Sequence, residues 1–247
     1  MDSKVVSRGI KSSVWHALKD QGFTYFTTRT AWRYHPDRLD VVNFQSFNSY
    51  HASVIGCSTF SFAANLGCFL LYVPYEHGAA IIKDKMGLLL PDESQCQLRG
   101  RIKPADQRSL FERLVKKGTP KDIWFIREDG SNLESALKEV HDRLLGEGLR
   151  WFHRFEQRED VLRIFNSELE VMGELWGFGN NPSPHRSYCI GYSALALGRH
   201  ELALPHLKSV LSSGCFPLVE GQLRAAVQAA AQTVIPPDLS RQAAPGR

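Results

Sequence analysis

The stretch FSFAANLGCFLLYV, Phe60–Val73, is almost unbroken in apolar and aromatic residues and is closed by Pro74. Its longest apolar run, Cys68–Val73, is far too short to cross a membrane. A segment this apolar at both alternating positions predicts a central β-strand covered on both faces. Gly67 inside it predicts a bulge or a close approach of another part of the chain.

The flanking segments supply partners for such a strand. Val6, Ile10, Val14 and Leu18 recur four residues apart and predict a first helix over Ser3–Gln21, stopped at Gly22. Phe23–Tyr34 and Leu39–Tyr50 read as two strands joined by the turn sequence HPDR. Further strands are expected at Gln95–Ile102 and Asp122–Arg127, with a short helix near Arg108–Lys117 between them. The segment from Ser131 to Gly148 carries a helical stripe, Leu133, Leu137, Val140 and Leu144. A Ser131–Glu134 capping box should open that helix, and Gly146 and Gly148 should end it.

After Trp151 the pattern is helical. Helical fragments are expected at DVLRIF and SELEVMGELWGFG, then a turn-rich break, GNNPSPHR. A helical pair follows from Ser187, with Pro205 in the first turn of its second member, and a last helix covers Leu218–Thr233. The fold class is α+β: an antiparallel sheet with packed helices, followed by a helical C-terminal extension. The expected division is an α+β domain over 1–155, a helical extension over 156–237 and a flexible tail over 238–247.

With 43% hydrophobic and 23% charged residues over 247 positions, the chain has the composition of a globular protein. Its net charge of +4 is not concentrated enough to imply nucleic-acid binding. Arg113, Lys116, Lys117 and Lys121 read as a solvated helix end and its turn. The first residues lack the apolar core of a secretory leader. The five cysteines are scattered and never spaced Cys-x-x-Cys, as expected of free thiols in a reducing cytoplasm.

Seven features in chain order carry a resemblance: Gly22-Phe23, Arg29 with Trp32-Arg33, VVNFQSFNSY, FSFAANLG, Cys96 with Arg99, DIWFI and LLGEGLRWF. This order resembles DUF4304, a family of bacterial proteins of unknown function. The resemblance covers most of the chain and implies no reaction. The segment around CSTFSF is longer and more aromatic than a minimal member would carry. Locally, Gly191, Ala194, Gly198, Ala203 and Leu207 fall where a tetratricopeptide-type helical hairpin places its small and apolar residues. A single hairpin falls short of a solenoid. It reads either as a cover for the sheet or as a docking surface, with Tyr192, Arg199 and His206 as candidate partner-binding residues.

Signatures of chemistry are sparse. The histidines lack His-Glu-x-x-His spacing, and no Cys/His set has zinc-finger spacing, so no metal site is expected. There is no phosphate-binding glycine loop of either common type and no Gly-x-Ser-x-Gly elbow, so no cofactor is assigned. Asp37 and Asp40 before a strand carrying Gln45 lack the nearby lysine of a nuclease site, and read as turn aspartates. The remaining question is the amides. On a strand, Asn43 and Gln45 share the face of Val41, opposite Val42 and Phe44. Gln45 can tie a neighbouring strand through Asn65. Alternatively Arg33, Asn43, Gln45, Asn48 and Asn65 line a ligand pocket walled by Trp32 and Phe47.

Two functions follow as expectations. The first is a non-enzymatic cytoplasmic interaction or accessory protein with a protein partner, of the immunity or defence kind by analogy. The second is an enzyme or small-ligand binder using the amide pocket.

Overall fold

The computed structural model describes residues 3–76, 80–105, 122–167 and 183–234. The expected 108–117 helix, its basic cluster, the SELEVMGELWGFG fragment from residue 168 onward and the tail lie outside those residues. The fold is α+β. Five antiparallel strands, β1 (Tyr25–Phe26), β2 (Thr30–Tyr34), β3 (Arg38–Ser46), β4 (Phe62–Leu70) and β7 (Leu98–Ile102), lie in that spatial order. A separate hairpin joins β5 (Ile82–Lys83) to β6 (Leu89–Leu90), where the sequence led to no expectation of strands.

The apolar run forms β4 as expected. It lies between β3 and β7, and all nine of its residues are buried. Its register with β3 is continuous from Arg38–Leu70 to Ser46–Phe62, so Gly67 marks no bulge. It marks a close approach: a Cβ there would lie 2.6 Å from the Cys96 sulfur. One sheet face, with Ala31, Val42, Phe44, Phe62, Ala64, Leu66 and Ile102, meets the apolar stripes of two helices to form the core. Those stripes are Val6, Ile10, Val14 and Leu18, and Leu133, Leu137, Val140 and Leu144.

The first helix runs through residues 3–19, with a wider turn over Ile10–Trp15, and Gly22 after it has φ +83°. Phe23–Tyr34 is not one strand. Thr27 breaks it, accepting from the Thr30 amide through its hydroxyl at 3.0 Å while its own amide reaches the Thr30 carbonyl at 2.8 Å. Asp122–Arg127 also falls short of a strand. It makes one bridge, Trp124 to Phe62, after which the Ser61 and Ser58 hydroxyls bond the amide and carbonyl of Ile126.

The Ser131–Glu134 capping box gives way to Asn132 at the N-cap, whose amide bonds the Phe125 carbonyl and the Arg127 amide. Gly146 and Gly148 do not end that helix. It widens over Leu144–Gly148 and continues through Leu149–His153. A Cβ on Gly148 would lie 3.0 Å from the Ile102 side chain, so this glycine serves helix-to-strand packing.

By contacts, residues 3–70, 81–105 and 122–155 form one compact unit; residues 71–76, 80, 156–167 and 183–234 form the other. In the second unit the helices Arg158–Phe165, Pro184–Ala196, His200–Ser213 and Glu220–Val234 each pack on the next. Gly191 marks a close approach of the central pair, since a Cβ there would lie 2.6 Å from the Leu207 side chain. Pro205 sits in the second turn of its helix rather than the first. The segment after β4 belongs with these helices. Tyr188 donates to the Pro74 carbonyl at 2.9 Å, His185 pairs with buried Glu76 at 2.7 Å, and the Arg158 guanidinium lies 5.3 Å from the Tyr72 ring.

Candidate functional site

The register sets Thr30, Asn43, Asn65 and Arg101 side by side across four strands, on the face opposite the helices. Asn43 donates to the Thr30 hydroxyl at 2.9 Å. Asn65 donates to the Gln45 side-chain oxygen at 3.2 Å and accepts from the Arg101 Nε at 2.7 Å. Arg101 continues to Asp122. The amides therefore share a face but bond in two sets, Asn43 with Thr30 and Gln45 with Asn65 and Arg101. The buried member is Asn65, 1% exposed, whereas Gln45 is an exposed residue. A buried amide without partners costs several kcal/mol, on the order of 2–7, and this row supplies them.

Asn48 and Arg33 do not join the row. β3 ends at Ser46, and Asn48 becomes the N-cap of the Ser49–Ile55 helix, accepting from the His51 amide at 2.8 Å. Arg33 is three residues from Thr30 on the same strand and so faces the other side. Trp32 does share the amide face, but its indole donates to the Pro91 carbonyl at 2.9 Å. Phe47 lies beyond the strand end.

Arg33 belongs to a different constellation. It is paired in register with Asp40, which lies within β3, fully buried, and is no turn residue. Asp40 Oδ2 accepts from Arg33 Nη2 at 2.7 Å and Nε at 2.9 Å, and bonds His35 Nε2 at 2.8 Å. Arg38 Nε donates to Oδ1 at 3.2 Å. Arg33 also donates to the Gln21 carbonyl at 3.0 Å, and its guanidinium lies 5.0 Å from the Phe23 ring and 5.6 Å from that of Phe152. Burial alone pushes the Asp40 carboxyl up. The His35 hydrogen bond and the Arg38 and Arg33 charges outweigh it and hold the group below its ordinary value. A carboxylate saturated in this way anchors the β2–β3 hairpin to the end of the first helix. The sequence signal was present: a hairpin turning at HPDR places residue 33 opposite residue 40.

Tyr192, a candidate contact residue, is 7% exposed, its ring 4.8 Å from that of Tyr188. It packs inside the helical unit because the aromatic cluster continues to Phe216, 4.9 Å from Tyr188. Arg199 is exposed, and His206 is half-buried with its basicity lowered by burial. The three therefore do not make one exposed surface.

Burial pushes the thiols of Cys68, Cys96 and Cys189 well up, and that of Cys57 up less far, so these are thiols rather than thiolate nucleophiles. Among the described residues no group of three or more His, Cys, Asp or Glu side chains is placed to hold a metal ion. No described helix is long and apolar enough to cross a membrane. A cleft of about 440 Å³ opens beside the Ser49–Ile55 helix, lined by Ser49, Ala52, Ser53, Cys57, Phe60 and Glu128 among others. It is separate from the amide row. Exposed apolar side chains stand on that helix, Tyr50 and Val54, and on the β5–β6 hairpin, Ile82, Met86 and Leu88. Comparison with protein-family models, curated proteins and solved structures finds no match for this chain.

Proposed function

We propose that this is a non-enzymatic protein-interaction or accessory protein, working through exposed apolar side chains on its α+β unit. The observation that carries this reading is where unsatisfied surface remains. Asn43, Gln45, Asn65, Arg33 and Asp40 already bond one another or their neighbours. Met86, by contrast, is 87% exposed, and Tyr50 and Val54 are each more than 70% exposed. Large side chains held in water in this way are the usual anchors of protein contacts. A cytoplasmic setting, resting on the scattered cysteines, and kinship with DUF4304, resting on the sequence resemblance, belong to the same proposal. A ligand pocket around Gln45 and Asn65 is not favoured, because each amide is a partner of the other.

Affinity capture from the native host tests the reading. Wild-type protein should retain a stoichiometric protein that Met86→Asp and Tyr50→Asp variants, equally stable, retain less well. Equal recovery by all three, or no stoichiometric partner, counts against it. Point variants are preferable to deleting residues 185–247, because Tyr188 and His185 anchor the Pro74–Glu76 segment.

A further inference from the structure

The chain carries 30 lysines and arginines against 26 aspartates and glutamates, an excess of four. The first helix accounts for all of it. Between Ser3 and Lys19 there is no Asp or Glu, and the helix holds Lys4, Arg8, Lys11 and Lys19. Burial fixes where these side chains point. Val6, Ile10, Val14 and Leu18 recur every four residues and are at most 1% exposed, so the wider turn over Ile10–Trp15 keeps one stripe on the core. The exposed residues from 4 to 19 are Lys4, Arg8, Lys11, Ser12, His16 and Lys19, and all but Ser12 are basic. Lys4, Arg8, Ser12 and His16 follow the same four-residue period on the side away from the stripe. Lys11 and Lys19 flank them, with the Lys19 ammonium 5.8 Å from the Phe26 ring. Arg8, Lys11 and Lys19 form no ion pair among the described residues.

The neighbouring helix is different. Gly9 packs on Leu137, which sets the first helix beside the one that begins at Leu133. That second helix exposes both signs, Glu134, Lys138, Asp142, Glu147 and Arg150. It also pairs charges internally, Lys138 with Asp142 at 3.1 Å, and Arg143 with Glu139 at 3.1 Å and Glu147 at 2.7 Å. The purely basic face is therefore a strip one helix wide, about 10 Å, and about 22 Å long from Lys4 to Lys19. Carboxylates stand on the helix beside it.

We infer that this strip docks an acidic helix of a partner protein, lying along it. Carboxylates one turn apart on such a helix would meet Lys4 and Arg8, themselves one turn apart. The width of the strip decides the class of partner. A membrane or a nucleic-acid duplex is broader and would also lie over the carboxylates of the neighbouring helix, at a cost in like-charge repulsion. The strip also has nothing to insert into lipid, because the apolar stripe of its helix is spent on the core. Exposed ion pairs add little affinity each, so the strip steers and selects its partner rather than gripping it. The inference goes beyond the apolar anchors proposed above: it adds a second surface and names the charge of the partner.

Fluorescence anisotropy of the full chain tests it, with a labelled peptide of alanine and glutamate, about 20 residues long and with glutamate at every fourth position. Binding is expected at about 50 mM salt and should weaken about tenfold by about 200 mM. Arg8→Glu/Lys11→Glu should weaken it about tenfold or more. Lys103→Glu/Lys208→Glu makes the same change in net charge on exposed lysines elsewhere and should leave binding within about twofold. Unchanged circular dichroism and thermal melts establish that each variant is folded. If the helix variant fails that control, Arg8→Ala/Lys11→Ala replaces it, with a loss of about threefold or more expected. A peptide that does not bind at low salt overturns the proposal, as does equal weakening by the two charge-reversed variants. Tighter binding of a DNA duplex of about 20 base pairs, or of phosphatidylcholine–phosphatidylglycerol vesicles, through Arg8 and Lys11 also overturns it, because the strip then serves phosphates. Peptide binding that fails while Met86→Asp still loses a captured protein overturns this inference and leaves the interaction reading standing. Peptide binding that holds while capture is indifferent to Met86 and Tyr50 overturns the apolar anchors and supports the acidic partner.

Discussion

Two polar residues of strand β3, Asp40 and Gln45, lie five residues apart and face opposite sides of the sheet. Asp40 is fully buried on the helix side and receives four hydrogen bonds, two from Arg33 and one each from His35 and Arg38. Gln45 is exposed near the strand end and has one bond, from Asn65. The difference follows from charge. A buried carboxylate must be matched by cations or give up its ionisation, whereas an amide at a strand end retains access to water. The first is a fixed structural commitment, and the second is one end of a bonded set whose buried centre is Asn65.

The contrast is broken most directly at Asp40. Asp40→Ala removes the buried carboxylate that Arg33 and Arg38 share and should cost about 3–5 kcal/mol in urea unfolding. A loss below about 1 kcal/mol, the range of solvated pairs, would put Asp40 on the same footing as Gln45. The same contrast appears under acid. The folded Asp40 carboxyl is depressed, so the unfolded chain binds a proton there at a higher pH than the folded chain. Its stabilising contribution is complete above the ordinary unfolded value, near 4, and is lost as pH falls through the lower folded value. An acid titration followed by circular dichroism should accordingly show a shallower loss of stability below that point for Asp40→Asn than for wild type.

The amide row is probed at its centre and then its edge. Asn65→Leu removes one partner each of Gln45 and Arg101 and should cost about 1–3 kcal/mol, because the largely buried Arg101 Nε loses the acceptor it has at 2.7 Å. Gln45→Ala should cost only about 0.5 kcal/mol, measured by the same unfolding curves, since water replaces its single bond. If Gln45→Ala costs as much as Asn65→Leu, the edge is as dry as the centre. A Gln45→Ala/Asn65→Ala double-mutant cycle should yield a coupling of about 0.5–1 kcal/mol, isolating the pair from packing losses.

Much of the fold was legible where one physical requirement dominated. The unbroken apolarity of β4 demanded cover on both faces, and all nine residues are buried. The four-residue spacing of Val6, Ile10, Val14 and Leu18 demanded a helical stripe, and all four lie in the core. Strand alternation also separated Asn43 and Gln45 from Val42 and Phe44, and Gln45 does bond Asn65. Expectations that needed a boundary fared worse. Phe23–Tyr34 has strand composition throughout, yet a side-chain bond from Thr27 ends one strand and starts another. Asn48 falls inside the expected Leu39–Tyr50 strand, but the chain turns after Ser46 and makes it a helix cap. Gly146 and Gly148 look like a stop, but the helix continues through both, and Gly148 packs close to the Leu144 and Ile102 side chains.

The candidate site divided in the same way. Which residues share a strand face is a local property, so the kinship of Asn43, Gln45 and Asn65 could be worked out from alternation and pairing. Arg33, expected in the pocket, is three residues from Thr30 on one strand and therefore faces the other side. Burial is not a local property, and it set the roles of Asp40 and Tyr192. What the sequence by itself determined was periodicity: the helical stripes, the doubly covered strand and the facing of the amides. What only the tertiary structure decided was which backbone groups find partners and which side chains meet water. Those outcomes depend on segments distant in sequence coming together, as when the Pro74 carbonyl finds the Tyr188 hydroxyl 114 residues away.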